Sequence, residues 1–168
     1  SPCPSDMVLA GRACIDRFEA HLLELGRGGT PWVHPHFERP QPGKSYVAAN
    51  EKGSHPQGYI SRVEASQACL ASGKRLCTRG EWMTACHGTP LASCNRAKAH
   101  LLPVLFPERN WVFHYDEHFN HPALSQVPGF LAAAGEYDGC TSDAGAHDLV
   151  GNLHEWVTDP VTRELASS

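Results

Sequence analysis

Seven cysteines constrain this chain more than any other feature of its sequence. None of them forms a C-x-x-C pair, which argues against a zinc ribbon or a thioredoxin-type site. In a chain with 15 glycines and 13 prolines, they are typical of a loop-rich domain held by disulfides in an oxidising compartment. The alternative is a cytosolic protein with scattered free thiols. If the cysteines do form disulfides, their odd number requires at least one partner outside this chain. The cysteines are Cys3, Cys14, Cys69, Cys77, Cys86, Cys94 and Cys140.

The composition is that of one globular domain. Of the 168 residues, 41% are hydrophobic and 19% charged, which suits a buried core. The net charge of -4, without a cluster of Lys and Arg, argues against nucleic acid as a partner. The apolar run Leu101–Phe106 is too short to span a bilayer, so no transmembrane segment is expected. The first residues lack the apolar region of a signal peptide and look like a mature N-terminus left by processing.

Short strands and long irregular stretches are predicted in the first part of the chain. Met7–Leu9 and Ala13–Phe18 are two short bursts of alternating apolar and polar positions, which predict a strand pair that turns at Gly11. Residues 26–58 are rich in glycine, proline and histidine and predict a surface excursion with one or two short strands. Residues 95–125 are also predicted to be irregular.

Two capping boxes give the clearest prediction of secondary structure. In a capping box, a Ser or Thr side chain accepts from the amide of a Glu three residues later, and that Glu reaches back. Ser61–Glu64 predicts a helix that runs through Ala71, and Thr78–Glu81 predicts one that runs through Cys86. A glycine two residues beyond each end can adopt the left-handed conformation that ends a helix.

Several segments resemble the sulfatase-modifying-factor family, which includes the formylglycine-generating enzymes. KRLCTRGEWMTAC at 74–86 is similar to the family's GKRLPTEAEWE-type segment, and DLVGNLHEWVTD at 148–159 is similar to its later D-x-x-GN-x-x-EW segment. CIDRFEA at 14–20 resembles the family's early strand, and VPGF at 127–130 stands where the family has a loop. The resemblance covers nearly all of the chain.

The resemblance implies a fold. Family members form one α+β domain related to C-type lectins, which has little regular structure and depends on disulfides and calcium. We therefore expect residues 1–168 to form a single α+β, loop-rich, C-type-lectin-like domain that is incomplete at its C-terminus. Two short capped helices and small antiparallel sheets should make up its regular structure. Cys77 replaces the family's usual proline, which suggests an extra disulfide in this branch.

Asp148, Gly151, Leu153 and Glu155 form the strongest candidate site. Carboxylates and the carbonyls of a tight turn are hard oxygen ligands of the kind that calcium binds. The resemblance implies the same set, because the family has a calcium site at the matching positions, with two side chains and two carbonyls as ligands. In the alternative, Asp148 caps the turn and Glu155 pairs with a nearby arginine. A second family site would involve Asn95 and the stretch before Phe130, but its usual aspartate is replaced here.

The eleven histidines raise another metal hypothesis. Neutral imidazoles spaced by two or four residues can bind zinc or copper. Neighbouring prolines place these residues in loops, where ordinary surface histidines are the alternative. The histidines with suitable spacing are His34, His36, His114, His118 and His121.

The resemblance also implies partners for the cysteines. The family forms disulfides from the positions of Cys69 and Cys86 to a C-terminal segment that is absent from this sequence. Cys77 would need an outside partner as well, so we expect a disulfide-linked C-terminal fragment or second chain. The pairs that could form within the chain are Cys3–Cys14 and Cys94–Cys140.

The four tryptophans fall into two groups. Trp82 and Trp156 belong to the family segments and are interpreted as core aromatics that anchor a helix and a strand. Trp32 and Trp111 lie in predicted loops and are candidates for ligand contact.

The resemblance leaves the activity open. The family's enzymes oxidise a substrate cysteine to formylglycine with oxygen and a copper ion held by two C-terminal cysteines, and no position here matches that pair. One hypothesis is a calcium-stabilised binding or structural domain that is periplasmic, secreted or on the cell surface. A second is a copper-dependent formylglycine-generating oxidase that a separate C-terminal fragment completes. A third is another metal-dependent oxidase that uses the histidines on the same scaffold.

Overall fold

The computed structural model describes residues 2–26, 28–96, 98–107, 120–121 and 123–160. These residues form a loop-rich α+β fold, as the sequence predicts. In chain order the elements are β1 (Met7–Ala10), β2 (Ala13–Asp16), β3 (Ala20–Leu25), β4 (Trp32–Val33), β5 (Ser45–Asn50), α1 (Arg62–Ala71) and α2 (Arg79–Ala85). Three short 3₁₀ helices follow at Leu91–Ser93, Ala99–Val104 and Leu124–Gln126.

The first two strands form the predicted hairpin. β1 pairs antiparallel with β2 along its whole length. Gly11 turns the chain with φ of +62°, in the left-handed region that glycine adopts most easily. The disulfide between Cys3 and Cys14 ties the N-terminus to β2. The hairpin is therefore held by ladder hydrogen bonds and by a covalent link.

A three-stranded antiparallel sheet with the order β4-β3-β5 supports α1. Leu22 of β3, Ala48 of β5 and Ala68 of α1 are buried together as a core cluster. Residues 26–58 thus contain two short strands, as predicted, but they are not a surface excursion throughout, because β5 contributes to this core. Trp32 of β4 is 49% exposed and stays a candidate for ligand contact.

Both predicted helices are present and begin at their capping boxes. Ser61 Oγ accepts from the Glu64 amide at 3.2 Å, and Glu64 Oε2 accepts from the Ser61 amide at 2.8 Å. Thr78 and Glu81 make the same pair of bonds at 3.2 and 2.8 Å. α2 ends one residue earlier than expected. In the part of the chain that the structure describes, no helix has the length and apolar character needed to cross a bilayer.

A further core cluster joins the hairpin, α2 and the segment at 148–159. Trp82 packs against this cluster, as predicted for a core aromatic. Trp156 is instead 47% exposed, and its indole N–H donates to the Ile60 carbonyl at 2.9 Å. The core interpretation of Trp156 is therefore wrong, because its ring lies at the surface where the N–H finds a backbone acceptor. The cluster consists of Val8, Ala10, Ala85, Ala146 and Leu149.

A second disulfide, Cys94–Cys140, lies in the irregular region after α2 and joins residues 46 positions apart. Both internal pairs that the sequence suggested are therefore present. Cys69, Cys77 and Cys86 are free thiols in the structure.

Candidate functional site

Gly151 and Asn152 form the tight turn at the centre of the candidate site. Both have left-handed backbones, with φ of +82° and +57°. A Cβ at position 151 would stand 2.3 Å from the carbonyl oxygen of Asn95, so only glycine fits there. The Asn152 amide donates to the same carbonyl at 2.7 Å. The turn is thereby fixed against the loop that carries Asn95.

The side chain of Asn152 joins three segments that are distant in sequence. Its Oδ1 accepts from Asn95 Nδ2 at 2.8 Å and from the Ala132 amide at 2.9 Å. Its Nδ2 donates to the Ala132 carbonyl at 3.1 Å and to Glu19 Oε2 at 2.6 Å. These four bonds use both donors and both acceptor directions of the amide group.

Asp148 lies almost completely buried beside this turn, at 1% exposure. Its Oδ2 accepts from the Gly135 amide at 2.6 Å, whereas its Oδ1 has no hydrogen-bond partner among the described residues. Burial raises the pKa of Asp148, because the charged form loses its hydration. The carboxylate thus holds the Gly135 loop rather than capping its own turn, and it leaves one buried oxygen for another ligand.

Glu19 and Glu155 bring two more carboxylates to the site. Burial, and to a lesser degree the charge of Asp148, raise the pKa of Glu19 to about 8. Glu155 is exposed, but the protein atoms around its carboxyl exclude part of its hydration, and this desolvation, followed by the charge of Glu19, raises its pKa. Within the described ranges, no Lys, Arg or His forms an ion pair with any of the three acids. The expected arginine partner of Glu155 is therefore not found there.

The groups at this site are of the chemical types that calcium accepts as ligands. The described residues contain no group of three or more His, Cys, Asp or Glu side chains placed to hold a metal ion. A cation here would therefore depend on backbone carbonyls beside the carboxylates of Asp148 and Glu155. Calcium accepts carbonyl oxygens readily, whereas zinc and copper favour nitrogen and sulfur ligands. The unpartnered buried oxygen of Asp148 is the feature that a hard cation would satisfy.

Asn95 stands at a position of the family's second site, which is not expected here because its usual aspartate is replaced. It is 3% exposed, and its Nδ2 donates to the Phe130 carbonyl at 3.0 Å. Its Oδ1 is buried and has no partner among the described residues. The fold thus brings together the two parts of the family's second site, and Asn152 connects them to the first.

A cavity of about 940 Å³ opens beside the site. Glu19, Leu153 and Glu155 contribute to its lining, and so do the thiols of Cys69 and Cys77. Burial raises the pKa of both thiols, that of Cys77 to about 11. Such thiols are protonated at neutral pH and are poor nucleophiles and poor metal ligands.

Cys77 and Cys86 flank the two ends of α2. The helix between them has seven residues, which corresponds to about 10 Å of rise. A disulfide requires the two Cα atoms to lie within about 7 Å of each other. Cys77 and Cys86 therefore cannot pair with each other unless the backbone moves.

The histidine hypothesis gains no support at the described positions. His34 is buried with Nε2 3.1 Å from the Glu38 carbonyl, and His36 has Nε2 3.4 Å from the Ser125 carbonyl. The Nδ1 atom of His121 accepts from a nearby backbone amide. One nitrogen of each of these rings thus has a backbone contact. His114, His118 and Trp111 lie outside the described residues.

Two residues of the site were missed by the sequence reasoning. Glu19 was noted only as part of the segment that resembles the family's early strand, and Asn152 only as a turn residue. Glu19 could have been found because it is an acidic residue in a segment that resembles the family, and no partner for its charge is evident nearby in the sequence. The signal for Asn152 was its place in the Gly-Asn pair, where only its backbone was considered.

Comparison with known proteins identifies the family of the chain. The family model described as "Sulfatase-modifying factor enzyme 1-like domain" matches residues 13–167, and the chain therefore belongs to this family. The formylglycine-generating enzyme of Mus musculus is 27% identical over 138 residues, which cover 78% of this chain and 32% of that protein. The chain thus spans about a third of the length of this curated relative. No solved structure matches it, so the C-type-lectin-like topology stays a prediction.

Proposed function

We propose that the chain is a calcium-stabilised domain of the formylglycine-generating-enzyme type that serves outside the cytoplasm as a binding or structural module. The observation that carries this proposal is the carboxylate of Asp148, which is 1% exposed and leaves Oδ1 without a partner among the described residues. A buried carboxylate oxygen without a partner is costly. A calcium ion would provide that partner.

The neighbouring charges favour the same ion. Glu19 and Glu155 lie close enough to raise each other's energy when ionised, and neither has a basic partner among the described residues. A divalent cation between Asp148 and Glu155 would offset this repulsion. The carbonyls of Gly151 and Leu153 would complete the hard oxygen set that calcium prefers.

Thermal unfolding with added calcium tests this proposal. A ligand that binds only the folded state at 100 times its Kd stabilises it by about 2.7 kcal/mol, so the Tm should rise. Asp148→Asn, which keeps the shape of the side chain, should abolish most of that rise. The matched control is Asp138→Asn, because Asp138 is 79% exposed and pairs with Lys52 in a surface ion pair. A Tm that does not respond to calcium in the unmodified chain would contradict the proposal.

The location outside the cytoplasm is supported by the disulfides. Cys3–Cys14 and Cys94–Cys140 are of a kind that persists in oxidising compartments and is rare in the cytosol. The chain should therefore be more stable when it is expressed in an oxidising environment than when it is expressed in a reducing one. If reduction of both disulfides leaves the unfolding free energy unchanged, this support is lost.

A second candidate function is a formylglycine-generating oxidase that another polypeptide segment completes. The observation that favours it is the cavity lined by the free thiols of Cys69 and Cys77, next to the family segments. Mass spectrometry of the isolated protein without reduction would detect a peptide linked to Cys69, Cys77 or Cys86. A linked peptide with a close cysteine pair would favour the oxidase over the binding module. If all three thiols react with an alkylating agent before reduction, no such link exists.

A further inference from the structure

The carboxylate of Glu19 holds two successive residues of the Gly151–Asn152 turn region. Its Oε2 accepts from Asn152 Nδ2 at 2.6 Å, and its Oε1 accepts from the Leu153 amide at 3.4 Å. The two contacts span 133 and 134 positions of the chain. Glu19, which directly precedes β3, is thus one point at which the N-terminal part of the chain holds the segment at 148–155.

Two hydrogen bonds, one of them to Glu19, hold the peptide groups on either side of Asn152. The Asn152 N–H and the Gly151 carbonyl belong to one planar peptide group. Because that N–H donates to the Asn95 carbonyl, the Gly151 carbonyl must point the opposite way. The Leu153 N–H belongs to the next peptide group, which Glu19 holds. With both planes fixed, the Cα atom of Leu153 lies at a defined position, and the next peptide group carries the Leu153 carbonyl from there.

A carboxylate is the side chain that this arrangement requires. Glutamine has one acceptor oxygen, so it could accept only one of the two bonds and would direct an N–H₂ group at the other donor. Aspartate keeps the charge but is one methylene shorter, so it cannot reach both donors. The fold therefore places the Glu19 carboxyl near two other acids. At this position the length of the side chain and both of its oxygen atoms are needed for the two hydrogen bonds.

We propose that Glu19 is a positioning residue for calcium. Glu19 holds Asn152 and Leu153 so that the Gly151 and Leu153 carbonyls converge on the ion. This inference rests on the proposed calcium site. Glu19 does not contact the ion in this proposal. Its effect arises through the two hydrogen bonds, in the way that groups behind the direct ligands usually tune a metal site.

Calorimetric titration of the full chain with calcium, after treatment with a chelator, tests the proposal. We expect Glu19→Gln and Glu19→Asp each to weaken calcium binding roughly tenfold or more, the usual size of such effects. Luminescence decay of bound terbium, excited through the neighbouring Trp156, gives an independent measurement. A carbonyl that no longer reaches the ion is replaced by water, so both variants should show about one more coordinated water.

The matched control is Glu24→Gln. Glu24 is also buried, lies on the adjacent strand β3 and pairs with Lys44 at 3.0 Å, away from the turn. This variant should lose stability but keep the calcium affinity of the unmodified chain. Circular dichroism identifies variants that fail to fold, and if Glu19→Gln is unfolded, Glu19→Asp carries the test.

The outcomes separate this inference from the calcium site itself. If the unmodified chain binds calcium and Glu19→Gln binds it equally well, the positioning role is wrong and the site stands. If Glu19→Asp keeps full affinity while Glu19→Gln loses it, charge alone explains the effect and the positioning role is wrong. If the unmodified chain binds no calcium, the site and the positioning role are both wrong.

Discussion

Replacement of Asn152 by aspartate should destabilise the folded chain strongly without changing its packing. Aspartate has the same shape, but an acceptor oxygen replaces the Nδ2 donor. The bonds to Glu19 and to the Ala132 carbonyl are then lost, and the new oxygen faces two acceptors. The bonds that Oδ1 accepts from Asn95 and from the Ala132 amide can persist, so the turn keeps part of its support.

The magnitude follows from the two bonds that are lost. A neutral hydrogen bond contributes about 1 kcal/mol net, and one to a charged group contributes about 2 kcal/mol. The bonds to the Ala132 carbonyl and to the Glu19 carboxylate are one of each kind. Their loss amounts to about 3 kcal/mol, and the new negative charge opposite Glu19 adds to it. For a chain of this size, that is a large share of a total stability of about 5–15 kcal/mol.

Urea unfolding followed by tryptophan fluorescence measures this change, with a chelator present and at a pH above 8, where the Glu19 carboxyl is ionised. The midpoint should fall while the slope of the transition stays the same, because the exposed area is unchanged. Asn120→Asp is the control, since Asn120 is exposed. A loss of less than about 1 kcal/mol at position 152 would refute the reasoning, because the two lost bonds would then contribute almost nothing.

Further substitutions test other parts of the structure by urea or thermal unfolding. Gly151→Ala should cost at least about 2 kcal/mol more than Gly129→Ala, because both have φ near +80° but only the first Cβ meets a carbonyl oxygen; equal losses would contradict the close contact. Removal of the Cys94–Cys140 disulfide by paired serine substitutions should cost about 4 kcal/mol, from the loop entropy of 46 residues, and an unchanged stability would exclude that role. Hydrogen bonds from an arginine and from the Thr78 amide lower the pKa of Glu81 from its usual 4.5 to about 2. The contribution of Glu81 to the stability of the fold is therefore complete above pH 4.5 and is lost as the pH falls toward 2. Glu81→Gln should remove this part of the pH dependence, and an identical acid transition in the variant would show that Glu81 does not contribute.

The sequence predicted the elements whose causes are local. Both capping boxes need only a Ser or Thr and a Glu three residues apart, so Ser61–Glu64 and Thr78–Glu81 placed the helix starts correctly. The hairpin at Gly11 was predicted for the same reason, because alternation and a glycine turn are close in sequence. The resemblance to a family was confirmed by the family model.

Contacts between distant segments could not be predicted in this way. The bond between Asn152 and Glu19 depends on where the fold brings together residues that are 133 positions apart. The same limit explains Trp156, whose place in a family segment suggested a core aromatic although its ring lies at the surface. The ligand set at Asp148 and Glu155 came from the resemblance and stays a prediction.

The span of the bond between Asn152 and Glu19 also has a consequence for the order of folding. The hairpin and the two helices form from contacts within a few residues, whereas this bond closes most of the chain and carries a larger entropic cost. We therefore expect the turn to close late, after the main barrier. Interactions that form after the barrier slow unfolding and have little effect on the folding rate. An ion bound at this turn would accordingly prolong the lifetime of the finished domain rather than hasten its formation.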